Sequence, residues 1–265
     1  MRYFLEIAYN GSNFHGWQRQ PNAIGVQQVI EEALSIILRT PTAITGAGRT
    51  DAGVHARKMY AHFDAGALPQ DPSKFILSLN RLTGREICIR DLYKVNEEAH
   101  ARFDATERSY KYFVRFSQNP FMSYYSWLSP TQLNLESMNK AAQKLIETED
   151  FTSFAKLHSD SKTNLCDVRE AIWKPIAEDP DALSFLGTMS DGIVFTIRAD
   201  RFLRNMVRAV VGTLADVGRG KLSPEDFGKV ISQKDRCSAG VSMPAEGLFL
   251  WDIKYPFSMK SLLRE

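Results

Sequence analysis

The sequence is short of the residues that would place it in several large classes. It has three cysteines, Cys88, Cys166 and Cys237, an odd number with no CxxC or Cys/His spacing. That argues against a disulfide framework or a zinc site and for a reducing, cytoplasmic setting. No apolar run approaches the ~20 residues needed to cross a bilayer. Glu6 interrupts the apolar stretch that a secretory signal would need in MRYFLEIAYNG, so neither a membrane span nor export is expected. There is no GxGxxG after a strand, no Walker A motif, no HExxH and no GxSxG, and nothing implies a cofactor or a metal. With 16 Gly and 11 Pro in 265 residues, 44% hydrophobic and 24% charged, collagen-like and mainly disordered readings are out as well. One large domain or two small ones remain.

No charge sign dominates, since the formal net charge is +2. The distribution is uneven, however. Residues 198–221 carry Arg198, Arg201, Arg204, Arg208, Arg219 and Lys221 against Asp200 and Asp216. A concentrated basic stretch in a near-neutral chain suits a polyanion gripped at one face, although a solvated helix face is the blander reading.

Tyr3, Leu5, Ile7 and Tyr9 alternate as on a strand over 2–9. After a Gly/Asn-rich stretch at 10–25, Val26, Val29, Ile30, Ala33, Leu34, Ile37 and Leu38 recur at helical spacing, and Thr40-Pro41 stops them. Strands at 42–46 and 57–64, a helix at 72–80 and a strand at 86–95 complete a βαββαβ order. The same rhythm recurs beyond a boundary near 97–104. It comprises a strand at 108–116, a helix at 132–147, strands at 166–174, 183–189 and 193–199, helices at 201–217 and 224–233, and a last strand at 247–255. The expected fold is α+β. Two ferredoxin-like halves, 1–102 and 103–265, form a central, mainly antiparallel sheet flanked by helices. Each half is small for a core of its own, so neither is expected to fold well alone.

Four stretches are candidates for chemistry. In Gly48-Arg-Thr-Asp51-Ala-Gly53-Val-His55, two glycines bracket a tip bearing Arg49 and Asp51. An adjacent guanidinium favours an ionised carboxylate, which suits a nucleophile or base, while Asp beside Gly also occurs in plain surface turns. His55 reads as a packing or hydrogen-bonding residue. The second stretch runs from Arg201 to Leu214, with Asp200 as the expected N-cap. At ~100° per residue Arg201 and Arg208 fall within ~20° of each other and Arg204 about 60° away, opposite an apolar stripe of Leu203, Val207, Val210, Val211 and Leu214. Such a ridge can grip phosphates or send one Arg to a carboxylate. In the third, Arg108-Ser-Tyr110-Lys-Tyr112, an aromatic ring flanked by basic groups can stack on an unpaired base, but alternating Tyr is also ordinary β-core. The fourth, Phe14-His15-Gly16-Trp17-Gln18-Arg19-Gln20, is either a probe inserted into RNA or a small satellite core.

In this order and at these distances, YNGSNFHGWQ, GRTDAGVHA, RSYKY, DFTSFA, RFLRNMVRAVVGTL and MPAEGLFLWDIKY resemble the TruA-type tRNA pseudouridine synthases over nearly the whole chain. The resemblance implies isomerisation of uridine to pseudouridine at positions 38, 39 and 40 of the tRNA anticodon stem-loop, without cofactor or metal, by a cytoplasmic homodimer. It also implies roles. Asp51 is the catalytic aspartate, Arg208 the arginine that pairs with it, and Tyr110 the base-stacking tyrosine. Arg49 helps extrude the nucleotide, and Phe14, His15, Trp17 and Gln18 lie on a loop reaching toward RNA. The basic ridge adds Arg201 and Arg204 as further candidate substrate-binding groups. The chain departs from the pattern at Leu82–Ile87 and at Met243, where an Ala is more usual, and both departures are expected to lie clear of the site. The segment 158–165 has no assigned role. Two other readings stand beside this one: a non-catalytic RNA-binding protein using the same basic cleft, and a hydrolase of another N-glycoside.

Overall fold

A computed structural model describes residues 1–69, 71–156, 162–186 and 191–263. In chain order the elements are β1 (Arg2–Tyr9), α1 (Val26–Leu38), β2 (Thr45–Gly46), β3 (His55–Asp64), α2 (Pro72–Thr83), β4 (Ile87–Val95), β5 (Glu107–Arg115), β6 (Trp127–Leu128), α3 (Leu135–Ile146), β7 (Val168–Pro175), α4 (Pro180–Leu186), β8 (Ile193–Ala199), α5 (Met206–Gly218), α6 (Pro224–Gln233) and β9 (Leu248–Lys254). The fold is α+β, its strands mainly antiparallel and flanked by helices. The chain divides into two compact units, residues 1–107 with 250–265, and residues 108–249. A cut at 102/103 differs in leaving the last strand with the second half.

Helix starts are written locally. Asp71, Asn134 and Ser223 each accept a main-chain N–H of the first turn of α2, α3 and α6, and Pro follows two of them. One expected strand, 183–189, is overturned by the same chemistry. Asp179 accepts the N–H of Ala182 at 2.8 Å and its carbonyl that of Leu183 at 2.9 Å, so Pro180 opens α4 instead. Residues 187–189 of that expectation lie outside the described residues, as do 158–161. In the rest of segment 158–165, Asn164 and Leu165 pair back onto Phe151 and Asp150.

In the first unit the strand order is β4-β1-β3, all antiparallel, with β2 and β9 both beside β3. That makes the βαββαβ order a 4-1-3-2 sheet. Alternation along β1 puts Tyr3, Leu5 and Ile7 on one face, but Phe4 and Ala8 on the other face are buried too. Each face therefore has its own cover. Phe63 stacks between Tyr3 and Phe75 of α2, at 5.5 and 6.3 Å. On the opposite face the C-terminal tail lies over Phe4, with Tyr255 at 5.5 Å and Phe257 at 6.3 Å. The Tyr255 phenol donates to the Ala101 carbonyl at 2.6 Å, and the Leu262 N–H to Leu92 at 2.9 Å. Glu6 on this face accepts the phenols of Tyr60 and Tyr93, each at 3.0 Å, and burial pushes both phenols above their usual range. The last strand joins this unit through Lys58–Asp252 at 2.9 Å and through Arg57, whose guanidinium lies over Trp251.

In the second unit the order is β5-β8-β7, antiparallel, with β6 parallel to β5. Trp173 of β7 stacks on Phe195 of β8 at 4.9 Å. The Asn139 side-chain amide of α3 donates to the Trp173 carbonyl and accepts its N–H, at 3.0 and 2.8 Å. It satisfies both main-chain groups of that residue at the sheet edge. No helix among the described residues is long and apolar enough to cross a membrane.

Two outcomes follow from the first unit. A fragment of residues 1–107 lacks β9, which lies beside β3, and the aromatic cover of Phe4. It should show no cooperative transition in urea, whereas the full chain does. His62 is buried beside Phe4 and His100, and its Nδ1 accepts the Ala101 N–H at 3.1 Å. Burial, then the Arg2 charge, hold its imidazole down to about 4. An unfolded histidine titrates near ~6.5, so the unfolded chain binds the extra proton first and stability falls as pH drops from there toward 4. The unfolding free energy of His62→Gln should therefore fall less steeply than wild type over that window and run parallel to it above pH 7.

Candidate active site

The Gly48–His55 tip belongs to the first unit, between β2 and β3. Along it Arg49 is exposed, Thr50 buried, Asp51 half-buried, and Val54 and His55 buried. The Asp51 carbonyl accepts the Val54 N–H at 3.1 Å and closes a turn whose third residue, Gly53, sits at φ +78°. That left-handed position is the reason for the second glycine.

A second segment, 11–17, crosses this tip at main-chain distance. Gly53 donates to Phe14 O at 3.2 Å, Trp17 to Thr50 O at 3.2 Å, and the Gly11 N–H to His55 Nδ1 at 3.1 Å. A Cβ on Gly11 would lie 2.0 Å from the Val54 carbonyl oxygen, and one on Gly16, at φ +88°, 2.5 Å from that of Thr50. The crossing exists because those two residues have no side chain. Below it the Trp17 ring packs so close to Gly46 that a Cβ there would lie 2.6 Å from it, and the ring centroid is 6.1 Å from that of Tyr9. The Tyr9 and Thr50 hydroxyls are hydrogen-bonded at 2.8 Å. The Gly16 and Trp17 carbonyls accept the first two N–H groups of α1, whose N-cap, Gly25, has no side chain to do so.

Of the fourth candidate stretch, then, Phe14 and Trp17 are buried and His15 and Gln18 exposed. The two aromatics form the satellite core. His55, with its Nδ1 accepting from Gly11, has the hydrogen-bonding role expected of it.

The other candidates lie in the second unit. Tyr110 is half-buried on β5, opposite Ile197, with its ring edge-on to Phe202 at 5.0 Å. Lys111 does not flank that ring toward solvent. It is buried on the other face in an ion pair with Asp179. Arg201 and Arg204 are not on the helix either, which corrects the expected basic ridge. The Asp200 carboxylate, rather than capping a helix at 201, accepts the N–H groups of Asp167 and Arg201, both at 2.7 Å. Asn205, at φ +65°, then sets the start of α5 at Met206. Asparagine tolerates the left-handed region better than other side-chain-bearing residues. Arg201 and Arg204 precede the helix, and Arg208 lies in its first turn.

Arg208 is tied down by residues the sequence reading placed clear of the site. Its Nε donates to the Met243 carbonyl at 2.6 Å, and the Met243 N–H donates back to the Arg208 carbonyl at 3.1 Å. The link is main-chain at position 243, which explains why a Met is tolerated there. Segment 239–243 can run this close because a Cβ on Gly212 would lie 1.8 Å from the Val241 carbonyl oxygen. A glycine inside an apolar helical run is the signal that could have revealed it. Among the described residues no group of three or more His, Cys, Asp and Glu is arranged to hold a metal ion.

With this geometry in hand, comparison with known proteins defines the class. A family model described as tRNA pseudouridine synthase matches residues 7–104 and 141–256, and the chain belongs to that family, whose members isomerise uridine to pseudouridine. Arg49, Asp51 and Arg208 fall inside the matched segments and Tyr110 between them. The chain is 51% identical over 255 residues to a protein of Parabacteroides distasonis and 49% identical over 255 residues to one of Bacteroides fragilis, covering 96% of each chain in both cases. It is 35% identical over 263 residues to one of Exiguobacterium sibiricum, covering 98% of this chain and 99% of that one. All three are named tRNA pseudouridine synthase A.

The crossing is testable without reference to activity. Gly16→Ala should destabilise the chain by about 1–3 kcal/mol in denaturant titrations. It should also speed hydrogen exchange at the Trp17 and Gly53 amides far more than at Phe195.

Proposed function

We propose that this chain acts on tRNA, converting uridines 38, 39 and 40 of the anticodon stem-loop to pseudouridine. Asp51 starts the reaction, Arg208 keeps that carboxylate ionised and aimed, and Tyr110 stacks on the uracil. The observation that carries the reading is the tip itself. In a chain of the pseudouridine synthase family, its one carboxylate is half-exposed while the threonine before it is buried and tied.

The chemistry sets what each group must do. The glycosidic C–N bond breaks, the uracil turns in place, and its C5 bonds to the ribose C1′. The target base must first leave the stem, at a few kcal/mol of unstacking. Arg49, exposed beside Asp51, is suited to help extrude it. Once detached, the uracil must be confined while it turns, and a half-buried ring braced edge-on by Phe202 offers a flat stacking surface. Arg201 and Arg204, before α5 rather than on it, supply phosphate contacts, as do the exposed His15 and Gln18 beside the crossing. Phe14 and Trp17 support that loop from beneath. The protein works as a homodimer in the cytoplasm, a reading that rests on the family resemblance.

The test is release of tritium from C5-labelled uridine in unmodified tRNA, with pseudouridine mapped along the anticodon arm. Wild type should release tritium and Asp51→Ala should lower the rate by at least about a thousandfold while binding tRNA normally. Product formed outside the anticodon arm would refute the assigned positions, and an active Asp51→Ala would refute its role. Unchanged tRNA mass separates isomerisation from base hydrolysis. Raising salt from 50 to 200 mM should weaken tRNA binding steeply, and Arg201→Ala or Arg204→Ala should lessen that slope by about one unit each.

A further inference from the structure

We infer that Tyr9 is a positioning residue for the Asp51 carboxylate, acting through the side chain of Thr50. This rests on the reading that Asp51 starts the reaction.

Residue 50 is held by both of its handles. Its carbonyl accepts the Trp17 N–H, and its hydroxyl is bonded to the Tyr9 phenol at 2.8 Å. One residue further on, the Asp51 carbonyl accepts the Val54 N–H. Together these bonds fix the peptide planes on either side of Asp51, and so the backbone from which its carboxylate is aimed. Tyr9 and Thr50 are both buried, so removing either hydroxyl breaks this bond in a low-dielectric setting where it is costly to lose.

Tyr9 is itself well anchored. It ends β1, pairs with Ala56, the residue just after the tip, and meets the Trp17 ring. Between Ile7 and Tyr9 the register with β3 shifts by one residue, the extra one lying on β3 between Met59 and Ala56. Such bulges increase local twist and re-aim side chains at the end of a sheet. Here the shift lies beside the phenol that reaches Thr50. A tyrosine serving only as core would need its ring and not its hydroxyl, and the ring already has Trp17.

The experiment uses the full chain and an unmodified tRNA transcript, measuring single-turnover pseudouridine formation and tRNA affinity separately. Tyr9→Phe and Thr50→Val should each slow the chemical step about 10- to 100-fold, the size expected when a reacting group is misplaced by a fraction of an ångström, with tRNA affinity within about twofold of wild type. Thr50→Ser, which keeps the hydroxyl, should restore most of the rate. The double variant Tyr9→Phe/Thr50→Val should be no slower than the slower single, because one bond is lost in all three. A Tyr9→Phe rate within twofold of wild type, with Asp51→Ala inactive, overturns the positioning role and leaves the catalytic reading standing. Additive losses, or a loss that tracks weakened tRNA binding, overturn it too. If Tyr9→Phe does not fold, equal rates for Thr50→Val and Thr50→Ser overturn it instead. An active Asp51→Ala defeats the underlying reading whatever Tyr9 does.

Discussion

Much of the first unit's site follows from two strips of backbone lying closer than side chains allow. Segment 11–17 crosses the Asp51 tip at positions where Gly11 and Gly16 would otherwise drive a methyl into the Val54 and Thr50 carbonyls. From that contact come the hydrogen bonds that shape the tip, the burial of Thr50, and the two carbonyls that begin α1. It also settles what the aromatics beside it do. Phe14 and Trp17 stiffen the loop from beneath, and His15 and Gln18 face outward.

The second unit handles its charged groups on the same principle, with main-chain contacts made possible by small residues. Gly212 admits segment 239–243 against α5, and Met243 then bonds both the Nε and the carbonyl of Arg208. A bonded Nε fixes the plane of a guanidinium, and planar aim is what distinguishes Arg from Lys at a carboxylate or phosphate. Asn205 completes the arrangement by setting where α5 starts, which separates Arg208 on the helix from Arg201 and Arg204 on the segment before it.

Buried polar groups elsewhere in the first unit follow a related logic. Glu6 sits between two phenols, and His62 stays neutral with its Nδ1 occupied by a main-chain N–H. Both lie on the sheet face that the C-terminal tail covers, so the last residues of the chain complete the environment of the first strand. The pairing of Leu250–Lys254 with this unit is why a boundary read along the chain, at 102/103, does not coincide with the structural division.

Hydrophobic period and capping chemistry act within a few residues, and most of the strands and helices, the starts of α2 and α6, and the GRTDAGVHA tip were legible from them, while the helix expected from 132 begins at Leu135. The strand expected at 183–189 failed on a local contact, since Asp179 accepts the N–H of Ala182 three residues on and starts α4. Other expectations failed on distant partners. The helix expected at 201 began at Met206 because Asp200 was already occupied by Asp167, a partner that cannot be known from spacing. The same holds for Tyr9 and Met243, which look like a core tyrosine and a variable loop residue until folding brings a hydroxyl to Thr50 and a carbonyl to Arg208. Local order is encoded by neighbours in sequence, while the aim of a side chain is decided by groups dozens of residues away, and only tertiary contact selects among them.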